Sequence, residues 1–439
     1  MIKKILLPLL AFATLVTPAL ASAPVPPALI SETAVLIDAE SGQVLFQKDM
    51  HRLMRPASTT KVMTALLALE NADLGDSFTM SEVAVSTIGL DAANAALKAD
   101  EVVTMEQAVH ALALVSAADA CNGIAEYVGG TIENFVAMMN ERAVKAGALH
   151  TNFRNTHGMP DEEHLTTAYD LAMIMRDAVA TPGFTEIFDA DVYEMPPTNL
   201  FPETRVFKSH NLMTSGDAPY DGALASKTGW TELSEHTLVT AAKRNGRTLI
   251  GVVMKSPEKD DKYTDMAALL DYGFTGFTQV RYSAEELSRD EFLSDNPEKP
   301  GLTASVAASE GFSCLIRNDQ NKADIALSYH TAEGGELPVK VVFSLGYTVL
   351  GEVPVTAAWN IPVPAAAVPS PLPVAEGAEE VRQSVTADMT PPDTEDRWHP
   401  VLMWIAGLVI VVLGLCAVLA AVILVLRRIN IAKYRGRHR

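Results

Sequence analysis

Apolar residues recur at intervals of three and four along the chain, and this spacing predicts helices over residues 59–71, 105–147 and 168–180. Such spacing places apolar side chains on one face of a helix, where they can pack against a core. A further helix is predicted over Asp265–Tyr272. The helical signal therefore lies mainly in the first two thirds of the chain.

Segments with the alternation typical of strands lie on both sides of these helices. Strands are predicted at Thr33–Ile37, Gln43–Gln47, Glu235–Lys243 and Thr248–Met254. The last two are joined by a turn that contains Asn245-Gly246, a strong signal for a tight hairpin. Strands at both ends with helices between them predict an α+β domain with an antiparallel sheet over residues 28–276.

The pattern changes after residue 280 to short alternating segments, such as Ala323–Tyr329 and Leu337–Phe343, and predicts a small all-β domain over residues 280–360. Residues 361–400 are rich in proline and acidic residues and have few large apolar ones. Such a composition is typical of an extended linker.

Both ends of the chain carry export or membrane signals. Residues 1–23 combine Lys3 and Lys4 with an apolar run and small residues at a cleavage pattern, as in a signal peptide; a signal anchor is the alternative. Residues 401–426 contain no charged side chain and predict a transmembrane helix, and residues 427–439 are basic. We therefore expect a single-pass cell-membrane protein with extracytoplasmic domains and a cytoplasmic tail.

Charge and cysteine content narrow the classes of partner. The net charge is −20, and it is more negative still outside the basic tail and leader, which argues against nucleic acid as a partner. The three cysteines are Cys121, Cys314 and Cys416. They form no disulfide framework, and we expect single buried thiols. A disulfide between Cys121 and Cys314 remains an alternative. The sequence contains no metal-ligand spacing and no cofactor motif.

Candidate chemistry begins at Ser58 and Lys61, which lie three residues apart at the start of the first predicted helix. On a helix this spacing brings the lysine amine to the serine hydroxyl, and a desolvated lysine can act as the base that activates a serine nucleophile. The alternative is an N-capping serine. Ser256 and Lys259 repeat the spacing, but among charged residues and Pro257, so we interpret them as a solvated turn.

A second element is Lys227-Thr228-Gly229, directly before the hairpin that ends the domain. On an edge strand, a lysine and a threonine hydroxyl can bind a substrate carboxylate. Gly229 would let a ligand approach the backbone. The alternative is a loop lysine entering a strand.

Together these motifs resemble those of the low-molecular-mass penicillin-binding proteins that act as serine-type D-alanyl-D-alanine carboxypeptidases, the peptidase S11 family and relatives of β-lactamases. Residues 155–160 and 164–170 are similar to a stretch typical of the carboxypeptidase branch, which would place His157 and His164 in a structural turn. The resemblance implies a β-lactamase/transpeptidase-like fold. It also implies that the protein binds peptidoglycan stem peptides and β-lactams and needs no cofactor. It does not identify protein partners.

The resemblance assigns a role to each matching residue. Ser58 would be the nucleophile, Lys61 its base and Ser116 the proton donor to the leaving D-alanine. The substrate carboxylate would bind Lys227 and Thr228, and the N–H after Gly229 would belong to the oxyanion hole. That N–H is the backbone group of Trp230. Lys262 would either assist the carboxylate pocket or be a solvated charge.

The middle motif departs from the family, because Ala118 replaces the asparagine expected two residues after Ser116. In the family, the side-chain amide of this asparagine would hold Lys61 and a substrate carbonyl. Alanine has neither the donor nor the acceptor of that amide. Asn122, one helical turn later, is expected to be structural. This change leaves the alternative hypothesis that the protein is a weakened or inactive homologue that binds the cell wall. A β-lactamase is the other alternative.

Overall fold

The structure is a computed structural model, and it describes residues 23–89, 91–216, 219–293 and 303–360. The chain divides into two units, residues 1–363 and 364–439. The second unit, most of the predicted leader and the predicted linker, transmembrane helix and tail lie outside the described residues. Within the described ranges no helix combines the length and the apolar character needed to cross a bilayer.

Strands and helices of the α+β part alternate along the chain. The strands are β1 (Thr33–Asp38), β2 (Val44–Lys48), β3 (Ser77–Thr79), β4 (Val102–Thr104), β5 (Val192–Met195), β6 (Arg205–Lys208), β7 (Ala223–Thr231), β8 (Glu235–Arg244) and β9 (Arg247–Ser256). The helices are α1 (Lys61–Asn71), α2 (Glu82–Ser86), α3 (Met105–Leu114), α4 (Ala118–Gly129), α5 (Ile132–Lys145), α6 (Ala168–Ala180), α7 (Phe184–Phe188) and α8 (Asp261–Gly276). The predicted α+β class is confirmed.

Five strands form the central antiparallel sheet in the order β2-β1-β9-β8-β7, so β7 is an edge strand. Alternate residues of β1 face opposite sides: Val35 and Ile37 pack with α1 and α3 to α6, whereas Ala34 and Leu36 pack with α8. The sheet is therefore buried on both faces. The predicted hairpin is confirmed, and Asn245 and Gly246 at its turn both have positive φ.

The long predicted helical stretch is divided into α3, α4 and α5. Ser116, with φ 59°, interrupts it between α3 and α4, and Gly130, with φ 75°, separates α4 from α5. The apolar pattern runs on across both breaks because all three helices contribute to one core. Ser116 therefore lies at a sharp bend and not inside a helix.

The β-rich part begins where α8 ends. Its elements are β10 (Phe277–Tyr282), α9 (Ala284–Leu287), β11 (Arg289–Leu293), β12 (Thr303–Ala308), β13 (Phe312–Arg317), β14 (Ile325–Thr331), β15 (Pro338–Leu345) and β16 (Thr348–Trp359). Gln43 connects this part to the central sheet: its amide donates to the Leu315 carbonyl at 2.7 Å and accepts from the Leu315 N–H at 2.8 Å.

Candidate active site

Ser58 lies in a single 3₁₀ turn, Ala57–Thr60, and α1 begins at Lys61. The Lys61 Nζ donates to the Ser58 Oγ at 3.1 Å. Neither this turn nor α1 has a side-chain cap, so the N-capping alternative for Ser58 is wrong. The three-residue spacing brings the amine to the hydroxyl as predicted, although across a 3₁₀ turn.

Lys61 is buried at the centre of the domain, with 2% of its surface exposed. Its Nζ also donates to the His157 carbonyl at 2.6 Å. Burial lowers the pKa of Lys61 because the ammonium loses its hydration, and the nearby Cys121 and Asp119 oppose this only in part. The site therefore favours a neutral amine in contact with the serine, which is the state that a general base requires.

Glycines on two sides let the backbone close around the turn that carries Ser58. Ala57 has φ 48°, and a Cβ on Gly158 would lie 1.9 Å from the Ala57 carbonyl oxygen. A Cβ on Gly229 would lie 2.4 Å from the Thr237 Oγ1 and 2.9 Å from the Pro56 carbonyl oxygen. Gly229 therefore makes room for this turn, and because it also lines the cleft, the prediction that a ligand approaches its backbone stands beside this packing role.

Ser116, at the bend between α3 and α4, lines the same cleft as Ser58. The Lys227 Nζ donates to the Ser116 Oγ at 3.3 Å and to the Thr228 carbonyl at 3.1 Å. Burial, followed by the charge of Lys61, lowers the pKa of Lys227 to about 7. Two lysines and two serines from separate parts of the sequence thus form one cluster.

An open cleft of about 230 Å³ leads to this cluster, beside the edge strand β7. It is lined by Ser58, Ser116, His210, Thr228, Gly229, Trp230, His236, Lys259, Lys262 and Tyr263. Trp230, one of these residues, is 61% exposed. Ser209, His210 and Asn211 are among the residues that line an adjoining cavity of about 360 Å³.

The charge of the cleft wall is positive. Lys262 is 2% exposed, its Nζ donates to the Lys259 carbonyl at 2.7 Å, and burial lowers its pKa to about 8. The alternative of a solvated charge is therefore wrong for Lys262. None of the described residues that line the two cavities is acidic.

The interpretation of Ser256, the serine of the second serine and lysine pair, is also corrected. It is fully buried at the end of β9, and its Oγ lies 2.7 Å from the Ser31 Oγ. It is therefore not part of a solvated turn, although Lys259 is exposed as predicted.

Asn122 does not replace the lost motif asparagine. Ala118 is buried at the first residue of α4, and the Asn122 Nδ2 donates to the Ala84 carbonyl and the Thr87 Oγ1, both at 3.3 Å. Its Oδ1 accepts from the Thr156 Oγ1 at 2.7 Å. Asn122 thus supports the segment before His157, in line with the structural role expected for it.

Both histidines of the predicted turn are buried, and burial lowers the pKa of His157 to about 3 and that of His164 to about 4. The His164 Nε2 lies 2.8 Å from the Thr60 Oγ1, and its Nδ1 accepts from the Arg154 N–H at 3.0 Å. Neutral, hydrogen-bonded rings agree with the structural interpretation. What sequence reasoning missed is the His157 carbonyl, a partner of Lys61 that any residue type could supply.

The cysteines of the described part are both free and buried: Cys121 beside the cluster and Cys314 in the β-rich part. A bridge between them is therefore absent, and the expectation of single buried thiols is confirmed.

The sequence model of the peptidase S11 family, D-alanyl-D-alanine carboxypeptidase, matches residues 20–258, more than half of the chain. The chain belongs to this family. Its predicted similarity to the family is thereby confirmed.

The matches to individual family members extend over most of the length of those proteins. The chain is 27% identical over 334 residues to the D-alanyl-D-alanine carboxypeptidase DacF of Bacillus subtilis, covering 74% of this chain and 82% of that protein. It is 35% identical over 252 residues to DacB2 of Mycobacterium tuberculosis, covering 56% of this chain and 82% of that protein.

Solved structures give the same fold. A Mycobacterium tuberculosis D-alanyl-D-alanine carboxypeptidase matches with a TM-score of 0.53 and 31% identity, over 58% of this chain and 95% of that one. The Francisella tularensis DacD structure matches with a TM-score of 0.63 and 24% identity, over 76% of this chain and 94% of that one, and supports the fold alone. The predicted transpeptidase-like fold is confirmed.

Proposed function

We propose that this S11 family member is a serine-type D-Ala-D-Ala carboxypeptidase that removes the terminal D-alanine from peptidoglycan stem peptides. One observation carries the proposal: the buried Lys61 amine lies 3.1 Å from the Ser58 hydroxyl. A serine hydroxyl becomes an effective nucleophile only when a base takes its proton, and a desolvated lysine provides that base. No metal or cofactor is required for this step.

Substrate binding follows from the edge strand and from the charge of the cleft. An extended peptide can add to β7 through main-chain hydrogen bonds, because one side of this strand has no neighbour among the described strands of the sheet. Its terminal carboxylate would bind Lys227 and Thr228, with Lys262 on the same wall of the cleft. Cations concentrated in one cleft of an acidic protein attract an anionic substrate to that cleft.

In the acylation step, Ser58 attacks the carbonyl of the penultimate D-alanine and Lys61 takes the hydroxyl proton. The backbone N–H groups of Ser58 and Trp230 stabilise the oxyanion. The proton passes through Ser116 to the nitrogen of the leaving D-alanine. Water then hydrolyses the acyl-enzyme, and a β-lactam would acylate Ser58 in the same way.

The β-lactamase alternative is less consistent with the cleft. In class A β-lactamases a glutamate activates the deacylating water. No acidic side chain occurs among the described residues that line either cavity. We therefore expect the acyl-enzyme formed with a penicillin to persist.

The decisive assay is D-alanine release from a peptide that ends in D-Ala-D-Ala, with Ser58→Ala as the control. We expect release by the wild type and none above background by the variant. Ala118 specifically favours the competing hypothesis of a wall-binding protein. Peptide binding without D-alanine release by the wild type would overturn the carboxypeptidase proposal in favour of that hypothesis.

A bell-shaped pH profile of kcat/KM is also expected. Protonation of Lys61 removes the base as the pH falls, and loss of the Lys227 proton weakens carboxylate binding as the pH rises through about 7. In Lys227→Arg the guanidinium stays charged, so the alkaline decline should disappear. An unchanged alkaline decline in this variant, measured by D-alanine release across the pH range, would exclude Lys227 as its origin.

We also propose that the domains are extracytoplasmic and tethered to the cell membrane by residues 401–426. The support is the apolar length of this segment, the basic tail behind it and the signal-peptide pattern of residues 1–23. A peptidoglycan substrate requires that the catalytic domain lie on the extracytoplasmic side of the membrane.

A further inference from the structure

Two histidines that are 99 positions apart in the sequence meet on the surface of the α+β part. His51 lies in the turn after β2, and His150 lies in the loop after α5. Their ring centroids are 5.9 Å apart at an interplanar angle of 53°, and both residues are exposed. Two imidazoles that bind one ion through N–metal bonds of about 2.1 Å have centroids about 5–6.5 Å apart. The observed separation lies within this range.

A buried carboxylate lies behind the pair. Asp170, in the first turn of α6, is fully buried. Its Oδ2 accepts from the backbone N–H of His150 at 2.7 Å and from the Thr151 Oγ1 at 2.8 Å. Its Oδ1 has no hydrogen-bond partner among the described residues, and it lies 3.8 Å from the His150 Nδ1.

This arrangement places a carboxylate beside the ring nitrogen of a candidate metal-binding histidine, at a separation of 3.8 Å that is longer than a hydrogen bond. A histidine that binds a metal through one ring nitrogen usually donates its other ring N–H to a carboxylate, carbonyl or water. With its Nδ1 toward Asp170, His150 has its Nε2 on the opposite side of the ring. A positive ion would also compensate a buried carboxylate whose second oxygen lacks a partner.

Contacts that need no metal hold the two histidines in place. The Tyr169 N–H donates to the Met50 carbonyl at 3.1 Å, which joins the turn after β2 to the start of α6. The Tyr169 ring lies 5.1 Å from the His51 ring, centroid to centroid. The backbone on both sides of the pair is therefore fixed before any ion binds.

We propose that His51 and His150 bind one divalent late transition-metal ion, such as Zn²⁺, Ni²⁺ or Cu²⁺, with Asp170 orienting His150. Imidazole nitrogen suits these ions. In the described ranges no group of three or more His, Cys, Asp and Glu side chains is arranged to hold a metal, so water completes the coordination. The site is separate from the residues that line the catalytic cleft and links the turn after β2 to the loop before α6.

Calorimetric titration of the full chain with Zn²⁺, after purification without a polyhistidine tag, tests the proposal. We expect one ion bound by the wild type, and affinity reduced by at least about tenfold in His51→Gln and in His150→Gln. His330→Gln, which removes an exposed histidine on β14, is the matched control and should bind as the wild type does. A second readout is thermal stability, which Zn²⁺ should raise in the wild type and in the control but not in the other two variants.

Absence of Zn²⁺ binding by the wild type would overturn the proposal. So would equal affinity of the wild type, His51→Gln and His150→Gln, because the ion would then bind elsewhere on the chain. Both substituted histidines are exposed, so a folding defect is not expected to obscure the result. The measurement does not depend on catalytic activity, and its outcome is independent of the carboxypeptidase assay.

Discussion

Lys61→Met is expected to lower the rate of acylation by a penicillin by about 10³-fold without lowering the stability of the fold. The lost rate reflects the loss of the base that contacts the Ser58 hydroxyl. The preserved stability has a separate reason: Lys61 is buried, and an unbranched apolar side chain of similar length fills the same space without the cost of desolvating an amine.

The test combines stopped-flow acylation with thermal unfolding of the same preparations. Lys145→Met, an exposed lysine near the end of α5, is the matched control and should acylate as the wild type does. If Lys61→Met acylates within a few-fold of the wild type, Lys61 is not the base. If it instead unfolds at a clearly lower temperature, the hydrogen bond from Lys61 to the His157 carbonyl stabilises the fold by more than the burial of the amine costs.

Gly158→Ala is expected to reduce both stability and acylation, because the new methyl group would overlap the turn that carries the nucleophile. Its Cβ would lie 1.9 Å from the Ala57 carbonyl oxygen and 2.9 Å from the Thr60 Oγ1. Either Ala57 moves, and Ser58 with it, or the segment that supplies the His157 carbonyl to Lys61 moves. We expect a loss of about 3 kcal/mol or more in the free energy of unfolding.

Gly246→Ala separates the steric overlap from the cost of the backbone conformation. Gly246 also has a positive φ, 79° against 87° for Gly158, but its Cβ would meet nothing within 4 Å. We expect a loss of about 1–2 kcal/mol for this variant, with acylation unchanged. Equal effects of the two substitutions on acylation, measured with chemical unfolding in parallel, would show that the overlap at Ala57 does not matter.

Much of the fold was predictable because its segments follow local rules. The α6 helix occupies the predicted residues 168–180, and the β8–β9 hairpin forms at Asn245-Gly246. Apolar spacing and turn chemistry are sufficient for such elements. The break at Ser116 was not predictable in this way, because its positive φ accompanies a hydrogen bond from Lys227, which is distant in the sequence.

The candidate site likewise combines contacts that local sequence predicts with contacts that depend on distant parts of the chain. Ser58 and Lys61 are close in sequence, so their contact follows from spacing alone. The other partner of Lys61 is the carbonyl of His157, and side-chain identity carries no information about a backbone acceptor. The packing of Gly229 against the nucleophile turn was not predictable for a related reason, since this contact depends on tertiary structure.

Mapping the covalent adduct of a penicillin on the full chain by mass spectrometry tests the central claim most directly, namely that Ser58 is the nucleophile activated by Lys61. The predicted result is a single adduct on the peptide that contains Ser58, absent from Ser58→Ala and strongly delayed in Lys61→Met. An adduct on another residue, or no adduct on the wild-type chain, would contradict the claim.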